Sequence, residues 1–429
     1  MITKKVLIIS IACIPMSYGN FKVQKFNLGK SLFFDKILSG NKNISCASCH
    51  NPLLGTSDRL SLGIGEGGTG LAMFRNAGKM NSRVHERVPR NSPHLFNLSD
   101  KDISFLFHDG RISKNKNYPS GILSPAKEDL PEGLESLLSA QALFPPTSNT
   151  EMAGQGVEND ISKYAEEGKL FGENSVWGVL TRRIRSNREY VRMFKASFQD
   201  IKKATDIKEI HIANALGEYE KIAYRSKNSP YDQYMRGDMD ALSEKQIKGM
   251  QVFNGKGRCI ECHSGSNFTD NKFHSIALPS IGEGKGHGDK KIEDFGRMGV
   301  TNSLDDIYKF RTPSLRNLSL TGPYGHNGAY KSIKGIIEHH LNPKKGLRNY
   351  NLNKALLSQA EIFEGRDNIA LTKIINTKIF NTCDLEVVEL SNEEVGLLED
   401  FLHSLTERKF VDASHLIPKS VPSGLDIHD

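Results

Sequence analysis

The pattern Cys-x-x-Cys-His occurs twice, as Cys46-Ala-Ser-Cys49-His50 and as Cys259-Ile-Glu-Cys262-His263, and no other feature constrains the fold as tightly. One helical turn lets two thiols reach the two vinyl groups of one porphyrin while the neighbouring imidazole meets the iron. With six cysteines and 14 histidines in 429 residues, roughly 0.003 chance occurrences are expected, so two are not accidental. A shared zinc site would need the two pairs to converge, yet each carries its own His. A thioredoxin-like dithiol needs a strand before it and a helix after it, and 41–45 and 254–258 read as polar loops. The sequence therefore predicts two covalent c-type haems, attached at Cys46/Cys49 and Cys259/Cys262, with His50 and His263 as iron ligands.

Met1-Ile-Thr-Lys-Lys5 precedes an apolar run over 6–15, then Ser17-Tyr18-Gly19 and a polar stretch. A basic start, a short apolar core and small residues before a cut after Gly19 predict an export leader over 1–19 and a periplasmic mature chain. The competing reading is an N-terminal membrane anchor, for which the run is short. Cys13 lies within the leader, and Ser10 three residues before it argues against lipidation. Five cysteines then remain, so no disulfide framework is expected. Cys383 is either a free surface thiol or a buried small hydrophobe. The net charge of +7, spread over 57 basic and 50 acidic residues, argues against nucleic-acid binding and allows weak steering of an acidic partner. No other segment reaches ~18 apolar residues, so the mature chain is not expected to span a membrane. Monomer and homodimer both remain open.

Each haem motif follows a helix-like segment, 26–34 and 243–253, with apolar residues every three to four positions. Helices are also expected over 175–198 and 206–224, the latter with Ile207, Ile210, Ala213, Leu216, Tyr219 and Ile222 on one stripe. Strand patterns are scarce. The expected fold is mainly α, with short β pieces and long loops, divided into a haem domain over 20–205, a second over 206–405 and a tail over 406–429. Loops 63–70 and 281–288 are glycine-rich. Gly63-Ile-Gly-Glu-Gly-Gly68 matches G-x-G-x-x-G, but no βαβ pattern surrounds it, so it reads as a flexible haem-edge loop.

The segments Leu28-Gly-Lys-Ser-Leu-Phe-Phe-Asp35, Pro89-Arg-Asn-Ser-Pro93, Phe107-His-Asp-Gly-Arg111, Ser229-Pro-Tyr-Asp232, Tyr308-Lys-Phe-Arg-Thr-Pro-Ser-Leu-Arg-Asn317 and Thr321-Gly-Pro-Tyr-Gly-His-Asn-Gly328 flank the two motifs in order. With them the chain resembles, over nearly its whole mature length, the bacterial di-haem cytochrome c peroxidase family, which includes the MauG-type protein-modifying enzymes. The resemblance implies two cytochrome c-like domains, peroxide reacting at the N-terminal haem and electrons entering through the C-terminal one. It implies a calcium ion between them, at Asn91 and the carbonyls of Thr321 and Pro323, an all-oxygen set suited to that hard cation. It places a Gln and a Glu ten residues apart in the peroxidatic pocket, here Gln141 and Glu151. Heterolytic O–O cleavage needs a base that moves a proton from one oxygen to the other, which a carboxylate can do.

Three positions depart from that family. Where its classical members place a distal His at the first haem, this chain has about Ile64, with Glu66 nearby, which implies an open coordination position; His85, in an inserted stretch over 69–88, is the alternative ligand. Counting 14 residues from His326 gives His340 where the family has Met or Tyr at the second haem, with His339 as rival; an imidazole there lowers the iron potential. His108 stands where the family commonly has an inter-haem Trp, and the chain's single Trp is Trp177. The leading expectation is a peroxidase that takes hydrogen peroxide and electrons from a small donor, a cytochrome c or cupredoxin. Next comes a MauG-like oxidase acting on a residue of a protein substrate, then a plain electron-transfer cytochrome.

Overall fold

The computed structural model describes residues 18–78, 83–358 and 360–428 and is mainly helical, as expected. The expected leader, with Cys13, lies outside the described residues up to residue 17. In the first half, α1 (Tyr18–Phe34) leads to the short α2 (Cys46–Cys49). A long loop region and a small antiparallel sheet, β1 (Phe105–Leu106), β2 (Ile112–Lys114) and β3 (Ile122–Leu123), separate these from α3 (Leu137–Ala142), α4 (Asp160–Glu166), α5 (Val176–Ser186), α6 (Arg188–Ser197) and α7 (Glu209–Ala223). The second half runs through α8 (Pro230–Met235), α9 (Glu244–Asn254), β4 (Phe273–His274), α10 (Met298–Thr301), β5 (Phe310–Arg311), α11 (Ile333–Leu341), α12 (Pro343–Arg348), α13 (Lys373–Asn381) and α14 (Asn392–His403), with β4 antiparallel to β5.

Helix ends follow local capping chemistry. Ser243 and Ser391 open α9 and α14 with reciprocal bonds to Gln246 and Glu394. The helix expected over 175–198 is two, because the Asn187 side chain accepts from the Tyr190 N–H and starts α6 there. Among the described residues, no helix is long and apolar enough to cross a membrane.

Both halves close in the same way. Gly29 of α1 packs against Ala215 and Tyr219 of α7, and Gly249 of α9 packs against Leu397 and Phe401 of α14. A Cβ at either glycine would lie 1.9 Å from a carbonyl oxygen of the facing helix, so only glycine allows the crossing. Around the first crossing, Leu28, Leu32 and Phe33 meet Ile212, Leu216 and Tyr219 in the larger core; around the second, Phe253 and Phe268 meet Leu398 and Phe401. Trp177 is buried in the larger core, its Nε1 donating to the Leu143 carbonyl at 2.8 Å.

The apolar face of α7, just past the boundary expected at 205/206, has its partners on α1 and α3. Ile222, expected on that stripe, is instead 45% exposed. From the tail over 406–429, Phe410, Ala413, Leu416 and Val421 return to the first core, and Ser423 Oγ donates to Asp35 at 2.7 Å. Cys383 is half-buried against the cluster of Ile375 and Ile379.

Gly29→Ala and Gly249→Ala should each destabilise the haem-loaded protein by about 1–3 kcal/mol through overpacking. Gly396→Ala on α14, where an added Cβ meets open space, should stabilise it by about 0.5–1 kcal/mol. Denaturant unfolding of the three variants checks the sign of each.

Candidate functional site

Ser45, extended and just outside α2, lets the chain make one helical turn from Cys46, and the His50 N–H closes it on the Cys46 carbonyl at 2.9 Å. The His50 Nδ1–H donates to the Thr56 carbonyl at 3.1 Å, which leaves Nε2 with its lone pair free for a metal. Cys46, Cys49 and His50 line a cleft enclosing about 1090 Å³, part of it open to solvent. Together with that size, the two thiols and the oriented imidazole fit a covalently attached haem.

Gln141 and Glu151 line the same cleft. Gln141 comes from α3, buried, with Oε1 lacking a hydrogen-bond partner. Glu151 sits in a π-helical turn, Asn149–Ala153, where the N–H groups of Glu151, Met152 and Ala153 all converge on the Ser148 carbonyl. Burial raises the Glu151 carboxyl, and the cationic Arg111 and Lys285 pull it back. Neither Ile64 nor His85 lines the cleft: Ile64 is buried with Leu60, Ala77, Val84 and Phe363, and His85 is exposed, its carbonyl accepting from Arg366 at 2.6 Å.

The cleft also holds residues that sequence reading missed. Asp58 presents a buried, unpartnered Oδ2 and is raised by burial to about 6. Glu220 of α7 is raised by burial to about 8. Lys285, from the glycine-rich loop of the second half, is lowered by burial to about 8. Gly63 and Lys285 bring both glycine-rich loops to the cleft, the only signal that pointed there.

At the second motif, the His263 Nδ1–H donates to the Phe268 carbonyl at 3.0 Å, again leaving Nε2 free. His340, at the end of α11, donates its Nδ1–H to the Ile336 carbonyl at 2.8 Å, and its ring centroid lies 6.4 Å from that of His263. Two imidazoles sharing one iron, each nitrogen about 2 Å from it, place their centroids roughly 6 Å apart. His339 is turned away and both its nitrogens are occupied: Nε2 donates to the Ile276 carbonyl at 2.8 Å and Nδ1 accepts from the Tyr330 hydroxyl at 2.9 Å. Cys262 also lies with Asp270 and His274 in a cluster able to hold a metal, but a thioether to haem would remove its thiolate from that set.

The halves meet at buried Arg90, which bonds Asp109 at 2.6 Å and Asp294 at 2.6 and 2.7 Å. His108 lines the cleft, its Nε2–H donating to the Asn91 carbonyl at 2.9 Å, and accepts at its own carbonyl from the Arg311 N–H. Asn91 donates its N–H to the His326 carbonyl at 2.9 Å and its Nδ2 to the Leu60 carbonyl at 2.8 Å, so Oδ1 remains available. Among the described residues the carbonyls of Thr321 and Pro323 accept no hydrogen bond.

A family model described as di-haem cytochrome c peroxidase matches residues 23–240. The chain is 29% identical to the methylamine utilization protein MauG of Methylorubrum extorquens, over 74% of this chain and 69% of that one. It is 28% identical to the cytochrome c551 peroxidase of Pseudomonas aeruginosa, over 73% of this chain and 70% of that one. A solved MauG-like protein associated with microbial copper homeostasis superposes with a TM-score of 0.58 at 23% identity, covering 93% of this chain and 92% of that one, a likeness of fold.

In the haem-loaded protein, His340→Ala should convert the C-terminal haem from low-spin to high-spin, read by electron paramagnetic resonance. His339→Ala should keep it low-spin and cost about 1–3 kcal/mol, since the Tyr330 hydroxyl loses its buried partner. The reverse pattern would assign the ligand to His339.

Proposed function

The chain belongs to the di-haem cytochrome c peroxidase family, and from that premise we propose that it reduces hydrogen peroxide to water in the periplasm with electrons from a small cytochrome c or cupredoxin. The observation that carries this reading is the N-terminal cleft: Gln141 and Glu151 share it with His50, and its other imidazole, His108, has its Nε2 engaged by Asn91. That leaves peroxide a place beside a base without a side chain having to leave first.

The haem iron, when bound, supplies the redox chemistry that splits the O–O bond. Glu151 takes the proton from one peroxide oxygen and returns it to the other. Gln141 orients the substrate, its unpartnered Oε1 accepting from the peroxide O–H. Arg111 and Lys285 hold Glu151 closer to its ionised, base form than burial alone would. His263 and His340 would hold the haem through which electrons enter, and His108, its Nε2–H donating to the Asn91 carbonyl, stands at the junction they would cross; Asn91 with the Thr321 and Pro323 carbonyls would hold a calcium ion. A second reading, oxidation of a residue on a partner protein, is favoured by His340, because two imidazoles stabilise oxidised iron better than an imidazole and a thioether.

Glu151→Gln should slow the spectral response of the haem-loaded ferric protein to one equivalent of peroxide by about 100-fold or more, while cyanide binding is unchanged. In the parent protein the rate should fall on acidification at a pH above the usual carboxylate range, since burial raises Glu151 and protonation removes the base. The Gln variant should show no such limb. Equal peroxide rates in the two proteins would defeat the assignment.

A further inference from the structure

The π-helical turn at Glu151 leaves backbone carbonyls that its own bonds do not use, and other segments take them. The Gly40 N–H donates to the Met152 carbonyl at 2.7 Å, Asn159 Nδ2 to the Ala153 carbonyl at 3.0 Å, and the Glu66 N–H to the Glu151 carbonyl at 2.9 Å. The last bond reaches the residue that carries the cleft carboxyl. It comes from the loop 63–70, in which five of eight residues are glycine. An added Cβ at Gly65 would lie 1.9 Å from the Thr150 carbonyl oxygen, so the loop backbone rests directly on the turn. Holding so glycine-rich a backbone in one shape costs much conformational entropy, and something must fix it.

Arg75 does so. The backbone pair Thr69/Asn76 returns the chain across the loop, and Arg75, 1% exposed, directs all three guanidinium nitrogens at loop carbonyls. Nε donates to Ile64 at 2.6 Å, Nη2 to Gly65 at 3.0 Å and Nη1 to Gly70 at 2.9 Å. Ile64 and Gly65 immediately precede Glu66. Bonds from an ionised donor are the strong ones, and the rigid guanidinium fork ties the two ends of the loop together as an apolar side chain could not.

We propose that Arg75 is a positioning residue for Glu151: by clamping the loop it keeps the Glu66 N–H on the Glu151 carbonyl and so sets where the carboxyl stands in the cleft. The proposal rests on Glu151 as the base there. Without the clamp the carboxyl is chemically intact but its turn can shift, and a displacement of about 1 Å from the productive geometry slows a reaction on the order of 100-fold.

Haem-loaded, full-length R75M and R75K are compared with the parent by hydrogen exchange of the 64–66 backbone and by the spectral response of the ferric protein to one equivalent of peroxide. The low-spin signal of the C-terminal haem checks folding. R75M should exchange at Glu66 about 10-fold faster or more, and respond to peroxide about 10-fold more slowly or worse, with cyanide binding unchanged. R75K keeps the charge but cannot span three carbonyls, so it should fall between the two, and it decides the matter where R75M loses the low-spin signal. In an E151Q background, R75M should slow the response further by less than about 2-fold, since both changes act through one group. Equal slowing by R75M in both backgrounds, or a parent-like rate in R75M, overturns the proposal and leaves Glu151 as the base. An E151Q rate equal to the parent's removes the Glu151 reading and this proposal with it.

Discussion

The buried Arg90 guanidinium holds the two halves in register. It reaches Asp109 from its own half and Asp294 from the other, and it holds both carboxyls well below the usual carboxylate range despite burial that acts the other way. Such a triad is weak evidence for net stability, since desolvating three charges offsets much of their attraction, but losing one partner strands a buried charge at a cost of about 3–5 kcal/mol. Its geometry therefore specifies one docking of the halves. Asn91 and His108 lie within one residue of the triad's members, so the residues at the junction inherit their positions from it.

The same desolvation acts differently in the cleft. Asp58, Glu151 and Glu220 all face it and are raised by burial, without an ion partner at hydrogen-bonding distance such as Arg90 gives the aspartates. A core built only for stability would replace them with apolar side chains, because a buried, incompletely paired carboxyl costs free energy. Groups of perturbed proton affinity gathered in one cleft are what the proposed proton transfer requires.

What was legible in the sequence was what depends on short separations. Cys46 to His50 and Cys259 to His263 each span one turn, and the apolar repeats over 26–34 and 243–253 marked the helices before them, while the close crossings at Gly29 and Gly249 emerge only in the packing. The family resemblance, through a count from His326, pointed to His340, and the register of α11 turns His340 toward His263 while His339 bonds elsewhere. The partners of α7, the returning tail, Arg90 with Asp294 and the arrival of Lys285 depend on contacts between distant segments, which no local pattern encodes. The π-helical turn at Glu151 was hidden for another reason: its extra residue comes from converging bonds on the Ser148 carbonyl, not from residue type.

Two halves with the same glycine crossing and the same attachment turn present different surroundings to the haem each is built for. In the second, α11 turns an imidazole toward His263 across the width of one iron atom and its bonds. In the first, α3 and the π-helical turn bring an amide and a carboxyl into an open cleft instead. The crossing anchors the chain around each haem motif in both cases, so the chemical difference resides in the segments that follow, where a few side chains change without disturbing either core. A pair of facing imidazoles and an open cleft lined by an amide and a carboxyl can thus share one scaffold, joined at the Arg90 junction.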